Sequence, residues 1–345
     1  MKTTKDERKK NMPQIDLITG FPGAGKTNFI KKYVQFLTGQ GLTAAVLETD
    51  YGAVNLDMVI LNDLIGDKCE VEILDGGSGV LSYSHRFHTK LSSMAVSGYD
   101  RVIVESFGFY DVDSFFDALA VGPLSQWYSP GSIVNIVDAG MEEQLSDEAQ
   151  YLLVSQTASA GKIVLTHCVE AQAHESAGKE QAAGHCGLAS DNLSAVRERA
   201  LARLNTVLER FQSDRRIIPD DIIARDGDEL TQDDFVLIAA AGMIPADYAR
   251  IPDDMRSGHG TILYSGLELE EQKINGIITE IFADGSCGKV MRIKGFVRAE
   301  GNLRIQVDAT RHEVKTCRTP FAREVLIISG DELNEDRIDA ILARA

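Results

Sequence analysis

The stretch GFPGAGKT (20–27) constrains the fold more than any other part of this chain. It fits the pattern G-x-x-x-x-G-K-[ST] without exception. QIDLITG (14–20), a short apolar run typical of a buried strand, precedes it, and KTNFIKKYVQFL (26–37), with apolar residues at helical spacing, follows it. A strand, a glycine-rich turn and a helix in this order are typical of a phosphate-binding loop.

The residue types of such a loop each have a chemical reason. Glycines let backbone N–H groups close around phosphate oxygens, and the N-terminus of the following helix adds positive potential. We expect Lys26 to reach the β- and γ-phosphates of a nucleotide and the hydroxyl of Thr27 to bind Mg²⁺. The predicted nucleotide-binding residues of the loop are Gly20, Gly23, Ala24, Gly25, Lys26, Thr27 and Asn28. The alternative is a glycine-rich turn without a ligand, which the flanking strand and helix disfavour.

Further apolar runs predict the fold class of the first half of the chain. The predicted strands are LTAAVLETD (42–50), VEIL (71–74), RVIVES (101–106), SIVNIVDA (132–139) and KIVLT (162–166). Helical stretches separate most of them. This alternation predicts an α/β fold of the P-loop type, in which a mostly parallel sheet is covered by helices on both faces.

The pattern changes after the linker-like stretch at 251–260. EEQKINGIITEIFAD predicts a helix with one apolar face, and GKVMRIKGFVRAEGNLRIQVD predicts two strands joined at Glu300-Gly301-Asn302. REVLIISG predicts another strand, and NEDRIDAILARA a final helix. We therefore expect three parts: a leader at 1–13, either disordered or a cloning remnant, a nucleotide-binding domain at 14–256, and a small α+β domain at 257–345.

Composition excludes some classes of partner. The net charge of −17 over 345 residues argues against binding to nucleic acids or to anionic membranes. No apolar run approaches the ~18 residues that a membrane-spanning helix needs. The basic leader lacks the apolar core of a signal peptide, and the five cysteines form no CxxC pair. These features favour a cytoplasmic protein with free thiols.

The end of the strand at 101–106 offers two further candidates. Open α/β sheets bind ligands at the carboxyl ends of their strands. Glu105 stands at such an end, where a carboxylate can hold Mg²⁺ or its water, and Gly108 can place a backbone N–H against the γ-phosphate. The alternative for Glu105 is an ordinary surface carboxylate at the end of a strand.

In order and spacing, the segments ITGFPGAGKTN, ETDYGAVNLD and VIVESFG resemble the CobW-like family of P-loop GTPases, which sits with HypB and UreG. RIKGFVR (292–298) resembles the C-terminal domain of that family. The resemblance covers about residues 14 to 310. It implies GTP and Mg²⁺ as ligands, and nucleotide hydrolysis coupled to delivering a metal, or a metal-bearing cofactor, to a client protein.

The resemblance also implies roles for two acidic residues. The first switch segment of the family reads like N-E-F-G-x-x-x-x-D, and this chain has Thr49, Asp50, Tyr51, Gly52 and Asp57 at the matching positions. Asp50 and Asp57 are candidates for Mg²⁺ or switch contacts, with solvated loop carboxylates as the alternative. The residues predicted to act in hydrolysis are Lys26, Thr27, Glu105 and Asp57, and those predicted to hold Mg²⁺ are Thr27, Asp50 and Glu105.

The sequence departs from the family at the metal motif. The family's C-x-C-C motif follows the third strand, where this chain has Gly77, Ser78, Gly79 and Val80. None of these side chains supplies a thiolate, so we expect no tight zinc or nickel site there. His85 and His88, spaced i, i+3, and a looser set of His167-Cys168, His174 and His185-Cys186 are candidate replacements. Surface histidines and small buried thiols are the favoured interpretation of both sets.

A second departure lies in the base-recognition motif. The family's N-K-x-D motif aligns with Thr166, His167, Cys168 and Val169, so valine replaces the aspartate that accepts hydrogen bonds from guanine. Glu170 comes one residue late. Thr166 and His167 remain predicted nucleotide contacts. We therefore expect weak selectivity for guanine and keep ATP as an alternative ligand.

The leading hypothesis is a nucleotide-hydrolysing switch protein whose client is a metalloenzyme or a corrinoid protein. A second hypothesis is a nucleotide-dependent scaffold with negligible hydrolysis and no metal cargo. A small-molecule kinase is a weaker third, because the C-terminal domain is no recognisable lid. Arg292 and Lys294 resemble an anion site, but their alternation along a predicted strand is also typical of a solvated strand face.

Overall fold

The computed structural model describes residues 12–50, 56–75, 80–169, 189–225, 229–251, 260–299, 303–319 and 324–344. The chain forms two compact units. The first comprises residues 1–50, 60–141 and 150–250, and the second comprises 51–59, 142–149 and 251–345. The division into domains at 14–256 and 257–345 remains a proposal. Several residues singled out from the sequence lie outside the described parts: Gly77, Ser78, Gly79, Glu170, His174, His185, Cys186 and the turn at 300–302.

The first unit contains a seven-stranded parallel sheet with the order β3-β2-β4-β1-β5-β6-β7. Its strands are β1 (Gln14–Thr19), β2 (Ala44–Asp50), β3 (Cys69–Asp75), β4 (Arg101–Glu105), β5 (Ser129–Asp138), β6 (Lys162–Thr166) and β7 (Ile222–Ala224). Every residue of β4 is buried. Strands covered on both faces read as continuous apolar runs, which is why the sequence pattern predicted them. The predicted P-loop α/β fold is confirmed.

Helices alternate with most of these strands along the chain. They are α1 (Lys26–Gly39), α2 (Leu56–Leu61), α3 (Val80–Val96), α4 (Asp113–Ala120), α5 (Leu124–Trp127), α6 (Asp147–Ala158), α7 (Ala189–Arg210) and α8 (Gln232–Ala239). The buried face of α1 carries Phe29 and Tyr33, whose rings stack near Phe235 of α8. Burying these aromatic faces fixes α1, and with it the loop at its N-terminus, against the sheet.

The strand order determines where a ligand can bind. β1 lies between β4 and β5, so the connections from β1 and from β4 leave the sheet in opposite directions. In open parallel sheets this switch point opens a crevice at the carboxyl ends of the strands. The GFPGAGKT stretch follows β1 at that position.

The second unit contains a five-stranded antiparallel sheet with the order β11-β10-β9-β12-β8. Its elements are β8 (Thr261–Ser265), α9 (Glu271–Ala283), β9 (Lys289–Arg298), β10 (Arg304–Thr310), β11 (Val314–Thr319), β12 (Val325–Asp331) and α10 (Glu335–Leu342). Buried isoleucines of α9, β9 and α10 form one apolar core. The predicted small α+β domain is confirmed as a fold. None of the helices in the described ranges has the length and apolar character needed to cross a membrane.

Candidate functional site

The loop after β1 depends on glycines at its two bends. Gly20 has φ 143°, and a Cβ placed there would lie 2.2 Å from the carbonyl oxygen of Ile136 on β5. Gly25, the residue before α1, has φ 92°. Side chains rarely adopt such angles, and backbone atoms fill the space at Gly20. The loop therefore curls tightly beneath β5 and presents the first turn of α1 towards the crevice.

Lys26 lies inside this loop. Its side chain is buried, and its Nζ donates hydrogen bonds to the carbonyl oxygens of Gly20, at 2.9 Å, and Phe21, at 3.3 Å. The ammonium group is thus held within the curve of the loop, near the backbone N–H groups expected to surround phosphate oxygens. This position fits the predicted role of Lys26.

Thr27 and Glu105 meet at the carboxyl ends of the central strands. The Thr27 hydroxyl donates to Oε1 of Glu105 at 2.8 Å, and both residues are buried. Ile18 of β1 pairs in register with Glu105 of β4, so Glu105 stands at the same edge of the sheet as the loop that leads from β1 to Thr27. A hydroxyl and a carboxylate are the oxygen ligands that Mg²⁺ prefers, so these residues fit the predicted cation.

Thr49, to which the sequence analysis assigned no role, secures this strand end. Its hydroxyl donates to the carbonyl oxygen of Glu105 at 2.8 Å and accepts from the N–H of Phe107 at 3.1 Å. A buried threonine within the apolar run of β2 was the signal that could have identified it. Asp50 ends the same strand, but its side chain lies outside the described parts, so its role as a Mg²⁺ ligand stays a prediction.

Gly108 lies directly against the phosphate loop. A Cβ on Gly108 would be 2.4 Å from Cδ of Pro22, closer than real Cβ contacts come. The rings of Phe21 and Phe109 also pack there, with centroids 5.7 Å apart. The segment after β4 thus packs against the loop after β1. This is expected if the Gly108 N–H contacts the nucleotide that the loop binds.

The last residue of β6 contacts the phosphate loop. The Thr166 hydroxyl donates to the carbonyl oxygen of Ala24 at 2.9 Å. His167 has a positive φ of 54°, and its Nδ1 lies 3.5 Å from Oδ1 of Asp138. Val169, at the position of the family aspartate, is 57% exposed. Thr166 therefore lies at the predicted nucleotide site, and the roles of Thr166 and His167 in binding stay predictions.

Asp57 has partners within the second unit. Its two carboxylate oxygens accept hydrogen bonds from Arg292 and Lys294, each at 2.9 Å. Burial raises the pKa of Asp57, but the two cations more than offset this and hold its pKa well below the ordinary value. Lys294 is only 6% exposed, so the interpretation of these cations as a solvated strand face is wrong for Lys294. The catalytic role predicted for Asp57 stays a prediction.

Two of the histidines considered as replacement metal ligands, His85 and His88, lie on α3. A ring nitrogen of His88 lies 3.2 Å from the carbonyl oxygen of Val121, and His85 is exposed on α3. Cys168 is buried, as expected for a small thiol in a core.

Comparison with known proteins gives one family. The family described as CobW/HypB/UreG, nucleotide-binding domain, matches residues 14–186. Zinc-bound YjiA GTPase from E. coli is 18% identical over 97% of this chain and 99% of its own, with a TM-score of 0.31. HypB from Archaeoglobus fulgidus is 14% identical over 65% of this chain and 86% of its own, with a TM-score of 0.37. HypB from Helicobacter pylori in complex with nickel is 12% identical over 68% and 87%, with a TM-score of 0.37. No curated protein sequence matches the chain.

Proposed function

This chain belongs to the CobW/HypB/UreG nucleotide-binding family, and we propose on that premise that it binds GTP with Mg²⁺ and hydrolyses it as a molecular switch. The observation that carries the proposal is the arrangement of Lys26 within the phosphate loop and of Thr27 against Glu105. These groups lie at the carboxyl ends of the strands, where an α/β sheet binds its ligand. The proposed reaction is in-line attack of water on the γ-phosphate.

The chain's own residues have distinct parts in this reaction. The glycine-rich backbone binds the phosphates, and Lys26 exchanges its carbonyl acceptors, Gly20 and Phe21, for phosphate oxygens. Thr27 and Glu105 would hold Mg²⁺, which neutralises phosphate charge when bound. The N–H of Gly108 would orient the γ-phosphate. The part predicted for Asp57 stays a prediction, and in the structure its two carboxylate oxygens accept hydrogen bonds from Arg292 and Lys294.

The output of the switch is proposed from the family alone. We propose that nucleotide turnover in the cytoplasm assists delivery of a metal or corrinoid cofactor to a client protein, itself a metalloenzyme or a corrinoid protein. A scaffold that binds nucleotide with negligible hydrolysis is the second candidate. The valine at position 169 favours it, because the base motif lacks its aspartate. Steady-state release of phosphate from GTP by the purified protein distinguishes the hydrolysing switch from the scaffold, because only the switch releases phosphate at a measurable rate.

We predict a weak preference for guanine over adenine. Val169 accepts no hydrogen bond from a base, and each unmade bond to a buried donor costs about 1–3 kcal/mol. Competition of GTP and ATP against a fluorescent nucleotide measures the preference directly. Val169→Asp is the matched variant, and its exposed position should tolerate the change. We expect it to raise the preference for GTP by roughly tenfold or more. A preference of several hundred-fold in the parent would show that another group reads the base.

We predict that Thr27→Ala weakens Mg²⁺-dependent binding of the triphosphate by roughly 10- to 100-fold, the range for losing a hydrogen-bonding partner of a charged group. Without Mg²⁺ the variant and the parent should bind alike. Titration of nucleotide with and without Mg²⁺ measures the difference. Thr38→Ala is the control, because Thr38 lies on the same helix and its hydroxyl donates to the backbone carbonyls of Val34 and Gln35. Equal loss with and without Mg²⁺ would contradict the assignment of Thr27 to the cation.

A further inference from the structure

The segment that carries Gly108 is hydrogen-bonded to α6 by a buried glutamine. Gln156 is fully buried, and its Nε2 donates to the carbonyl oxygens of Gly108 and Tyr110, both at 3.0 Å. The orientation of a side-chain amide is assigned from its partners. Here the partners decide it, because carbonyl oxygens only accept hydrogen bonds and the NH₂ group must face them.

The neighbouring serine holds the other end of the same segment. The Ser155 hydroxyl accepts from the N–H of Val112 at 2.8 Å and donates to Oδ1 of Asp111 at 2.7 Å. Tyr151, one turn earlier on α6, donates to the other carboxylate oxygen of Asp111 at 2.9 Å. Adjacent side chains of one helix therefore fix the backbone from Gly108 to Val112.

Hydrogen bonds hold the backbone both before and after the N–H group of Gly108. The preceding peptide is held by Thr49, which accepts from the N–H of Phe107, and the following one by Gln156, which binds the Gly108 carbonyl. Glycine alone would leave both dihedral angles of this residue free. The contact with Pro22 leaves no space for a side chain that could restrict them. The external hydrogen bonds therefore set the direction of the N–H.

We infer that Gln156 is a positioning residue that aims the Gly108 N–H at the γ-phosphate and so makes the site distinguish a nucleoside triphosphate from a diphosphate. The inference rests on the proposed function. A diphosphate lacks the group that Gly108 would contact, and the hydrogen bonds of Gln156 go to Gly108 and Tyr110, whereas the carbonyls that bind Lys26 are those of Gly20 and Phe21. Losing the Gln156 amide therefore affects the triphosphate complex and spares the diphosphate complex.

The test replaces Gln156 with methionine, which keeps the length of the side chain and removes both N–H donors. We expect GDP affinity to stay within about twofold of the parent. We expect the ratio of GTP to GDP affinity and the kcat for hydrolysis to fall by roughly 10- to 100-fold, because small misplacements of reacting groups have effects of this size. Displacement of a fluorescent GDP analogue and single-turnover hydrolysis supply the two readouts.

Gln150→Met is the matched control, since Gln150 lies on the same helix and its amide oxygen binds Arg210. It should behave like the parent. Ser155→Ala removes the hydrogen bonds to Val112 and Asp111 and leaves Gln156 in place. It should also lower the ratio of GTP to GDP affinity, and it serves as the test if Gln156→Met does not fold. An unchanged ratio in the variants, or equal loss of GTP and GDP affinity, overturns the inference. A parent protein that binds neither nucleotide refutes the proposed function itself.

Discussion

Lys26→Ala is expected to lower nucleotide hydrolysis by roughly 10²-fold or more and to weaken triphosphate binding, with the fold intact. Removing one preorganised donor from a developing charge has an effect of this size, and Lys26 is a charged donor held inside the loop. In the absence of nucleotide its Nζ donates to the backbone carbonyls of Gly20 and Phe21, which lie in the same loop. The variant should therefore melt close to the parent when no nucleotide is present. Phosphate release and nucleotide titration measure the loss.

Lys31→Ala is the control for this experiment. Lys31 lies on the same helix, and its ammonium pairs with the exposed Asp63. Exposed pairs of this kind contribute about 0–1 kcal/mol, so this variant should bind nucleotide and melt like the parent. The protein also gains stability from any ligand that binds only its folded state. A Lys26→Ala variant that GTP still stabilises as strongly as the parent would show that the phosphate loop is assigned wrongly.

The parallel sheet could be predicted from the sequence because its strands are buried on both faces. Such strands are continuous apolar runs, and the runs predicted at 42–50 and 162–166 overlap β2 and β6. The proximity of Thr27 and Glu105 followed as well, although 78 residues separate them, since neighbouring parallel strands end at one edge. Local sequence patterns were therefore enough to predict a feature wherever a general rule of sheet geometry says which distant residues come together.

Other features had no local signal. Asp57 binds Arg292 and Lys294 across 235 and 237 residues, and no spacing rule relates a carboxylate in the first turn of a helix to a strand so far along the chain. β11 was missed because the interior of this edge strand is exposed, so its residues show no apolar alternation. The hydrogen bonds of Gln156 also escaped, because a glutamine inside a helical run is ordinarily a solvent-facing residue.

A buried ion pair in the first unit gives the largest expected effect on stability. Asp16 lies inside β1 and is completely buried, and both of its oxygens accept from Nη1 of Arg101, at 2.7 and 2.8 Å. Its remaining partners are the Tyr33 hydroxyl and the Ser132 N–H. Arg101→Met would leave this carboxylate buried without its cation. We expect a loss of about 3–5 kcal/mol in the free energy of unfolding, measured by urea denaturation.

The same variant should respond to pH in a defined direction. Burial raises the pKa of Asp16 above 3.8, and Arg101 opposes the rise. Removing the cation raises the folded-state pKa further. The folded variant then favours the protonated Asp16 carboxyl. Its contribution to stability is therefore fully present below the pKa that Asp16 has in the unfolded chain, and it is lost as pH rises through the pKa of Asp16 in the folded protein. The destabilisation by Arg101→Met should therefore be smaller near pH ~5 than near pH ~8.

Two further variants separate the charge from the packing. Arg250→Met removes the exposed pair with Asp113 and should cost at most about 1 kcal/mol. Adding Asp16→Asn to Arg101→Met removes the buried charge and keeps an oxygen for the Ser132 N–H, so we expect it to restore part of the lost stability and to flatten the pH dependence. If the double variant is as unstable as Arg101→Met at every pH, the cost lies in the packing of the arginine side chain, and the buried carboxylate is not its cause.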